Sequence, residues 1–199
     1  MRLYNSKPSG NCYKVRLLLS RLGQAYERVE IDVIDRSKRE QILGDKTPIL
    51  RVPVLELDDG TCLAESNAIL FHLARGTDYL PDDALEQTRV LQWMFFEQNL
   101  HEPNIAVVRF WVHIANTAGQ YPEAMKLRTS GGYSALKRMD LHLATNRWFA
   151  GDRYTIADIA LYAYTHVAHE GGFDLKRFGN IRRWLEDFAA QPGHVSIDG

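Results

Sequence analysis

Cysteine is scarce in this 199-residue chain, and that scarcity is informative. Cys12 and Cys62 are the only two, too few for a disulfide framework or a four-thiolate zinc site. Lone thiols fit a reducing compartment, and Met1-Arg2 leads straight into structured sequence rather than a leader, so the expected setting is cytoplasmic. Net charge is nearly absent too: 24 Lys and Arg against 25 Asp and Glu leave −1. Without a basic excess, nucleic acid or an anionic membrane is not expected as the main partner. Long apolar runs are also missing. The most apolar stretch, 156–168, is interrupted by Asp158 and His166 and is too short to span a membrane. Low-complexity tracts are absent and aromatic residues reach 11%, which argues against disorder. A chain of this length buries about 70% of its unfolded surface and makes one large domain or two small ones.

The first quarter alternates strand and helix signals. Arg2-Leu3-Tyr4 reads as a strand, followed by a turn cluster from Asn5 to Asn11. A helix fits 12–22, with Val15, Leu18, Leu19 and Leu22 on one stripe and Gly23 as its stop. Residues 28–33 alternate apolar and charged, as in a strand. Ser37-Lys38-Arg39-Glu40 has the form of a capping box opening a short helix that ends at Gly44. Two apolar strands flank Asp59-Gly60 as a hairpin, and 65–75 closes the segment as a helix. The predicted order is βαβαββα over residues 1–76, a thioredoxin-like pattern, with a linker at 77–84 and an all-helical domain over 85–199. Pro103 is expected to kink a long helix over 84–116, and Gly131-Gly132 to weaken a second over 122–147. Two more helices fit 155–169 and 180–191, the last ended by Pro192-Gly193. Residues 1–76 carry 12 basic and 10 acidic groups, the remainder 12 and 15.

The chemistry concentrates in the loop after the first strand, which delivers Ser9-Gly10-Asn11-Cys12 to a helix start. Helix N-termini expose N–H groups and a positive dipole end that stabilise an anion such as a thiolate. Redox proteins place Cys-x-x-Cys at such a turn. Here Ser9 stands first, so dithiol chemistry through this pair is unavailable. A hydroxyl, an amide and backbone N–H groups remain, all able to donate to a sulfur anion brought by a ligand. No Ser-His-Asp arrangement makes Ser9 a nucleophile. Cys12 reads as a first-turn helix residue and Cys62 as a small core residue. His166 and His169 are three apart without a clear third ligand, so no metal is expected. Trp93, Phe95 and Phe96 lie around their helix, which suggests burial on several sides, and Glu97 and His101 share a helix face near a cleft.

The chain resembles a cytosolic glutathione transferase of the bacterial type. The resemblance rests on Ser9-Gly10-Asn11-Cys12-Tyr13-Lys14-Val15, Val52-Pro53-Val54-Leu55, Glu65-Ser66 and Tyr154-Thr155-Ile156-Ala157-Asp158, in order and across essentially the whole chain. It implies a cis bond before Pro53, leaving the backbone of Val52 to pair with bound glutathione. It implies that Glu65 and Ser66 meet the γ-glutamyl end, and that Lys38 or Arg51 meets the glycine carboxylate. Phe110 and Trp111 are the implied helical-domain wall for a small hydrophobic electrophile. Glutathione is then a cosubstrate, no metal is required, and the protein is a homodimer. The family commonly has Asn-Pro-x-Gly before Val-Pro, where this chain has Thr47-Pro48-Ile49-Leu50. The implied mechanism is thiol activation, with Ser9 as main donor and Asn11 as second. A disulfide reductase or peroxidase using the same thiolate is the first alternative, and a non-catalytic binding or regulatory protein on the same scaffold is the second.

Overall fold

The strand predicted at Arg2-Leu3-Tyr4 forms as β1 (Arg2–Asn5), the second strand of a four-stranded sheet. In the computed structural model, which describes all of residues 1–199, this sheet belongs to a unit made of Met1–Arg75 and Pro192–Gly199. The sheet order is β2-β1-β3-β4, with β2 (Glu27–Glu30), β3 (Val54–Glu56) and β4 (Cys62–Ala64). β1 pairs parallel to β2 and antiparallel to β3, and β3 is antiparallel to β4. A parallel pair needs a crossover, and α1 (Gly10–Arg21) supplies it. Successive side chains on a strand face opposite ways, which splits the core in two. Leu3 and Leu55 pack with Val15, Leu19 and Ile69, from α1 and α3 (Ser66–Ala74). Tyr4 and Val54 pack on the other face with Ile31 and with Leu43 of α2 (Arg39–Leu43).

Two local expectations need correction. The predicted strand 28–33 stops at Glu30. The Asp32 carboxylate captures the N–H groups of Ile34 (2.7 Å) and Asp35 (3.2 Å), turning the chain away from the ladder. The capping box at Ser37–Glu40 does not form. Lys38 occupies the cap of α2 without a side-chain hydrogen bond, and the Ser37 N–H donates instead to Asp35 at 2.9 Å.

The last eight residues also depart from expectation. They lie with the first unit rather than the helical one. Their sequence, rich in glycine and polar residues, carries no periodic signal that could assign them. What holds them is a set of side-chain donors: the Tyr13 hydroxyl donates to the Val195 carbonyl (2.7 Å), Arg16 to Ile197 (2.6 Å) and Arg28 to Gly199 (2.8 Å).

The second unit, Gly76–Gln191, is helical. The long predicted helix is α4 (Ala84–Phe96), a π turn over Glu97–His101, α5 (Glu102–Arg109) and a second π turn over Phe110–Ile114. The break falls where expected, because Pro103 has no N–H for the carbonyl four residues back. The preceding turn widens, so that the Glu102 N–H reaches the Glu97 carbonyl. The predicted weakness at Gly131-Gly132 is absent. α6 (Pro122–Leu143) runs through it unbroken. A Cβ on Gly132 would stand 2.5 Å from the Phe173 ring, and one on Gly131 2.7 Å from Asn104. The glycine pair therefore allows close packing rather than breaking the helix. α7 (Ile156–Thr165) and α8 (Gly179–Ala189) complete the unit. Of the helix-surrounding aromatics, Trp93 packs against Phe96, His142 and Phe149, whereas Phe95 is 64% exposed.

The predicted Thr155–Asp158 capping box does form. Fully buried Asp158 accepts from the N–H of Thr155 (2.9 Å), the N–H of Phe149 (3.1 Å) and Trp184 Nε1 (3.0 Å). Burial pushes its carboxyl up to about 6, against the pull of these donors. The folded carboxyl thus holds its proton to higher pH than an unfolded aspartate near pH 4, so this group's contribution to stability falls as pH rises through about 4 to 6. Replacing Asp158 by Ala orphans three buried donors and should cost about 2–4 kcal/mol in urea unfolding. With Asp158→Asn, the stability gap to wild type should be wider at pH 4 than at pH 7; an equal gap would show that Asp158 does not titrate in this window.

Candidate functional site

The sheet register gathers the site. Tyr4 stands opposite Val54, and Val54 opposite Ala64. One residue beyond that row, three distant stretches reach the same edge of the sheet: the chain leaving β1 at Asn5, Pro53 entering β3, and Glu65 leaving β4. The loop from Ser6 then carries Ser9 to the cap of α1.

Ser9 has extended backbone angles, and its Oγ accepts the Cys12 N–H at 3.3 Å. A hydroxyl that accepts keeps one proton to give. Cys12 is fully buried, and its sulfur accepts the Ser6 N–H at 3.3 Å. Burial pushes its thiol up to about 11, outweighing the Ser9 and Ser6 hydrogen bonds, so Cys12 is protonated at neutral pH. Neither cysteine is in a disulfide, and Cys62 is half-buried on β4.

The peptide bond between Val52 and buried Pro53 is cis, and Val52 precedes the β3 ladder. Glu65 is exposed and takes φ 66°, ψ 111°. A non-glycine residue at positive φ is uncommon and costs of order 1–3 kcal/mol. Ser66, next along, is buried and donates to Asn11 Oδ1 at 3.3 Å, tying α3 to the first turn of α1.

Lys38 and Arg51 are both exposed, at the head of α2 and just before the cis bond. Between them, Arg39 donates to the carbonyls of Asp32, Val33 and Leu50. Burial and then the neighbouring Arg36 and Arg51 push the Arg39 guanidinium below its usual value, which marks a local concentration of positive charge. Leu50 takes φ 51°. It stands where the Asn-Pro-x-Gly pattern has glycine, so the left-handed turn persists without the residue that adopts it freely. Packing of Leu50 beside Tyr4, Ile31 and Val54 offsets the cost.

Phe110 and Trp111 belong to the other unit, on the second π turn. Trp111 stacks on Tyr121 with ring centres 4.7 Å apart. Glu97 and His101, expected near a cleft, are fully buried inside that unit, where His101 Nε2 meets Thr165 Oγ1 at 2.9 Å. The His166 ring stacks on Tyr162, and its Nδ1 contacts the Tyr162 carbonyl at 2.9 Å.

Sequence reasoning missed two side chains of α1. Lys14 reaches Ser66 Oγ (3.4 Å) and Asn67 Oδ1 (3.2 Å), and Arg16 reaches Asn5 Oδ1 (2.7 Å) and the Lys7 carbonyl (3.2 Å). The available signal was two cations inside a run, 12–19, that is buried throughout.

A thioredoxin-like four-stranded sheet with a cis bond before its third strand, followed by a helical unit, defines the fold class of this chain. Residues 1–75 match the family model "Glutathione S-transferase, N-terminal domain", and residues 106–192 match "Glutathione S-transferase, C-terminal domain". A solved glutathione S-transferase from Pseudomonas fluorescens Pf-5 is 46% identical, with TM-score 0.94 and 98% of each chain covered. Maleylacetoacetate isomerase of Rhizobium meliloti (strain 1021) is 32% identical over 98% of this chain and 88% of its own length. Ure2p in complex with S-hexylglutathione is 25% identical, with TM-score 0.83, over 96% of this chain and 95% of that one. This chain belongs to the glutathione S-transferase family.

The state of Cys12 is directly testable. In native protein at neutral pH, iodoacetamide should leave Cys12 unmodified over a period that labels it completely in urea, as read by peptide mass spectrometry. Labelling of Cys12 within minutes in the native state would contradict a buried, protonated thiol.

Proposed function

We propose that this protein is a glutathione transferase that activates the thiol of bound glutathione for attack on a small hydrophobic electrophile. The observation that carries the reading is Ser9, half-buried at the cap of α1, whose oxygen accepts the Cys12 N–H and whose one proton, beside the Cys12 sulfur, can turn to a stronger acceptor. A peptide thiol ionises near pH 8.5, so only a few per cent is thiolate at neutral pH. A hydroxyl donor and the positive end of a helix both favour the anion. With Cys12 protonated and buried, the reactive sulfur comes with the ligand. Lowering its pKa by about two units corresponds to roughly 2.7 kcal/mol and makes most of the bound thiol reactive.

In this reading Asn11 is the second donor. Val52 pairs with the peptide backbone, and Pro53 shapes that stretch. Ser66 and the start of α3 take the γ-glutamyl carboxylate, and Glu65 its ammonium. The positive cluster containing Lys38 and Arg51 attracts the glycine carboxylate. Phe110 and Trp111 form the apolar wall for the electrophile, and two copies of the chain associate in a cytoplasmic homodimer. The S-hexylglutathione complex of Ure2p supports glutathione as the ligand, because that protein shares the fold over nearly the whole chain. Exposed Phe95 and Leu100 supply apolar surface for association.

The test is retention on immobilised glutathione, followed by assays with a chloronitrobenzene, a hydroxyethyl disulfide, an organic hydroperoxide and maleylacetoacetate. Conjugation of the aryl halide is expected. Ser9→Ala should lower kcat/KM for it at least tenfold, towards the hundredfold typical of a lost charge-stabilising donor, with glutathione binding nearly unchanged. Unchanged turnover would remove Ser9 from its role. Activity on the disulfide alone would favour a reductase, and no retention would favour a non-catalytic scaffold.

A further inference from the structure

Lys14 is an unusual residue to find where it is. Its side chain is fully buried in α1, between the buried residues Tyr13 and Val15. Burying an ammonium costs several kcal/mol unless its donors are satisfied. Here it donates to Ser66 Oγ at 3.4 Å and to Asn67 Oδ1 at 3.2 Å, both at the start of α3.

An ammonium only donates. Ser66 Oγ therefore acts as acceptor toward Lys14, and its single proton goes to Asn11 Oδ1 at 3.3 Å. That in turn fixes the Asn11 amide: its oxygen faces Ser66, and its NH2 is turned away from it. The ammonium's positive charge favours a Ser66 hydroxyl whose proton points away from it, and that proton goes to Asn11. A neutral residue able both to donate and to accept would leave that direction open, and an apolar one would leave Ser66 free to turn.

We propose that Lys14 is a positioning residue for thiol activation: its buried ammonium turns the Ser66 hydroxyl toward Asn11 and places a positive charge beneath the first turns of α1 and α3. The inference rests on the reading of the site as one that binds and ionises glutathione, and it deepens that reading by adding a group outside the contact set. At an effective dielectric of about 20 and a separation of about 10 Å, one such charge moves a thiol's pKa down by about one unit.

The experiment uses full-length protein saturated with glutathione and follows thiolate ultraviolet absorbance against pH, together with kcat and KM. Lys14→Met should raise the pKa of the bound thiol by about one unit and lower kcat about threefold at neutral pH, with the deficit closing as pH rises towards 9. Lys14→Gln keeps a donor of similar reach but loses the charge and the hydroxyl orientation that the charge favours, so it provides the test if the Met variant fails to fold, and it should shift the thiol the same way. A folded variant of either kind that lowers the melting temperature or raises KM while leaving the thiol's pKa at the wild-type value would reduce Lys14 to a bolt between helices and overturn the inference. If glutathione bound to wild type titrates like free glutathione, the activation reading itself fails and the inference falls with it.

Discussion

The row formed by Tyr4, Val54 and Ala64 decides where everything else in the first unit can go. Because β1 ends, β3 begins and β4 ends on the same side of that row, the segments that follow or precede them emerge together. The Ser9 cap, the cis bond before Pro53 and the strained Glu65 lie up to 56 residues apart in sequence yet meet at one edge. A register slip of one residue would turn Leu3, Leu55 and their neighbours to the wrong face and lose both core clusters, so apolar packing holds the register and the register holds the site.

Packing alone leaves the loops at that edge undetermined, and cations that each make several hydrogen bonds fix them. Arg16 ties Asn5, the loop carbonyl of Lys7 and the returning tail at Ile197 into one point. Arg39 gathers three carbonyls on the far side, among them that of Leu50, whose positive φ would otherwise be hard to sustain. Each guanidinium offers five donors in a fixed plane, which suits it to several carbonyls at once. Lys14, with a single ammonium, ties two side chains at the head of α3. For Arg16 and Lys14 such contacts are costly to break singly, because each leaves a buried charge short of partners.

Much of this could be read from the chain. Alternation gave β1 and the hairpin, the apolar stripe gave α1, and Thr155-x-x-Asp158 gave a cap that forms as expected. The cis bond before Pro53 forms as the resemblance implies, and Ser9 caps α1 at the turn that the sequence marks. The failures have physical causes. Asp32 ends a strand through a side-chain hydrogen bond that hydrophobic periodicity does not report. Gly131-Gly132 looks like a breaker in sequence, but only the approach of Phe173 shows it to be a packing contact. The tail at Pro192–Gly199 carries no pattern, since its anchors are donors 171 or more residues away. Lys14 and Arg16 carry no role in the sequence reading, because the covering of that face of the helix is visible only in the structure.

The central claim is that the protein ionises a thiol it does not own, through a hydroxyl at a helix cap. Ultraviolet titration of glutathione bound to wild type and to Ser9→Ala tests this most directly. The account expects the wild-type complex to titrate about two units below free glutathione and the Ser9→Ala complex to return most of the way to the free value. Bound glutathione that titrates identically in the two proteins would contradict it.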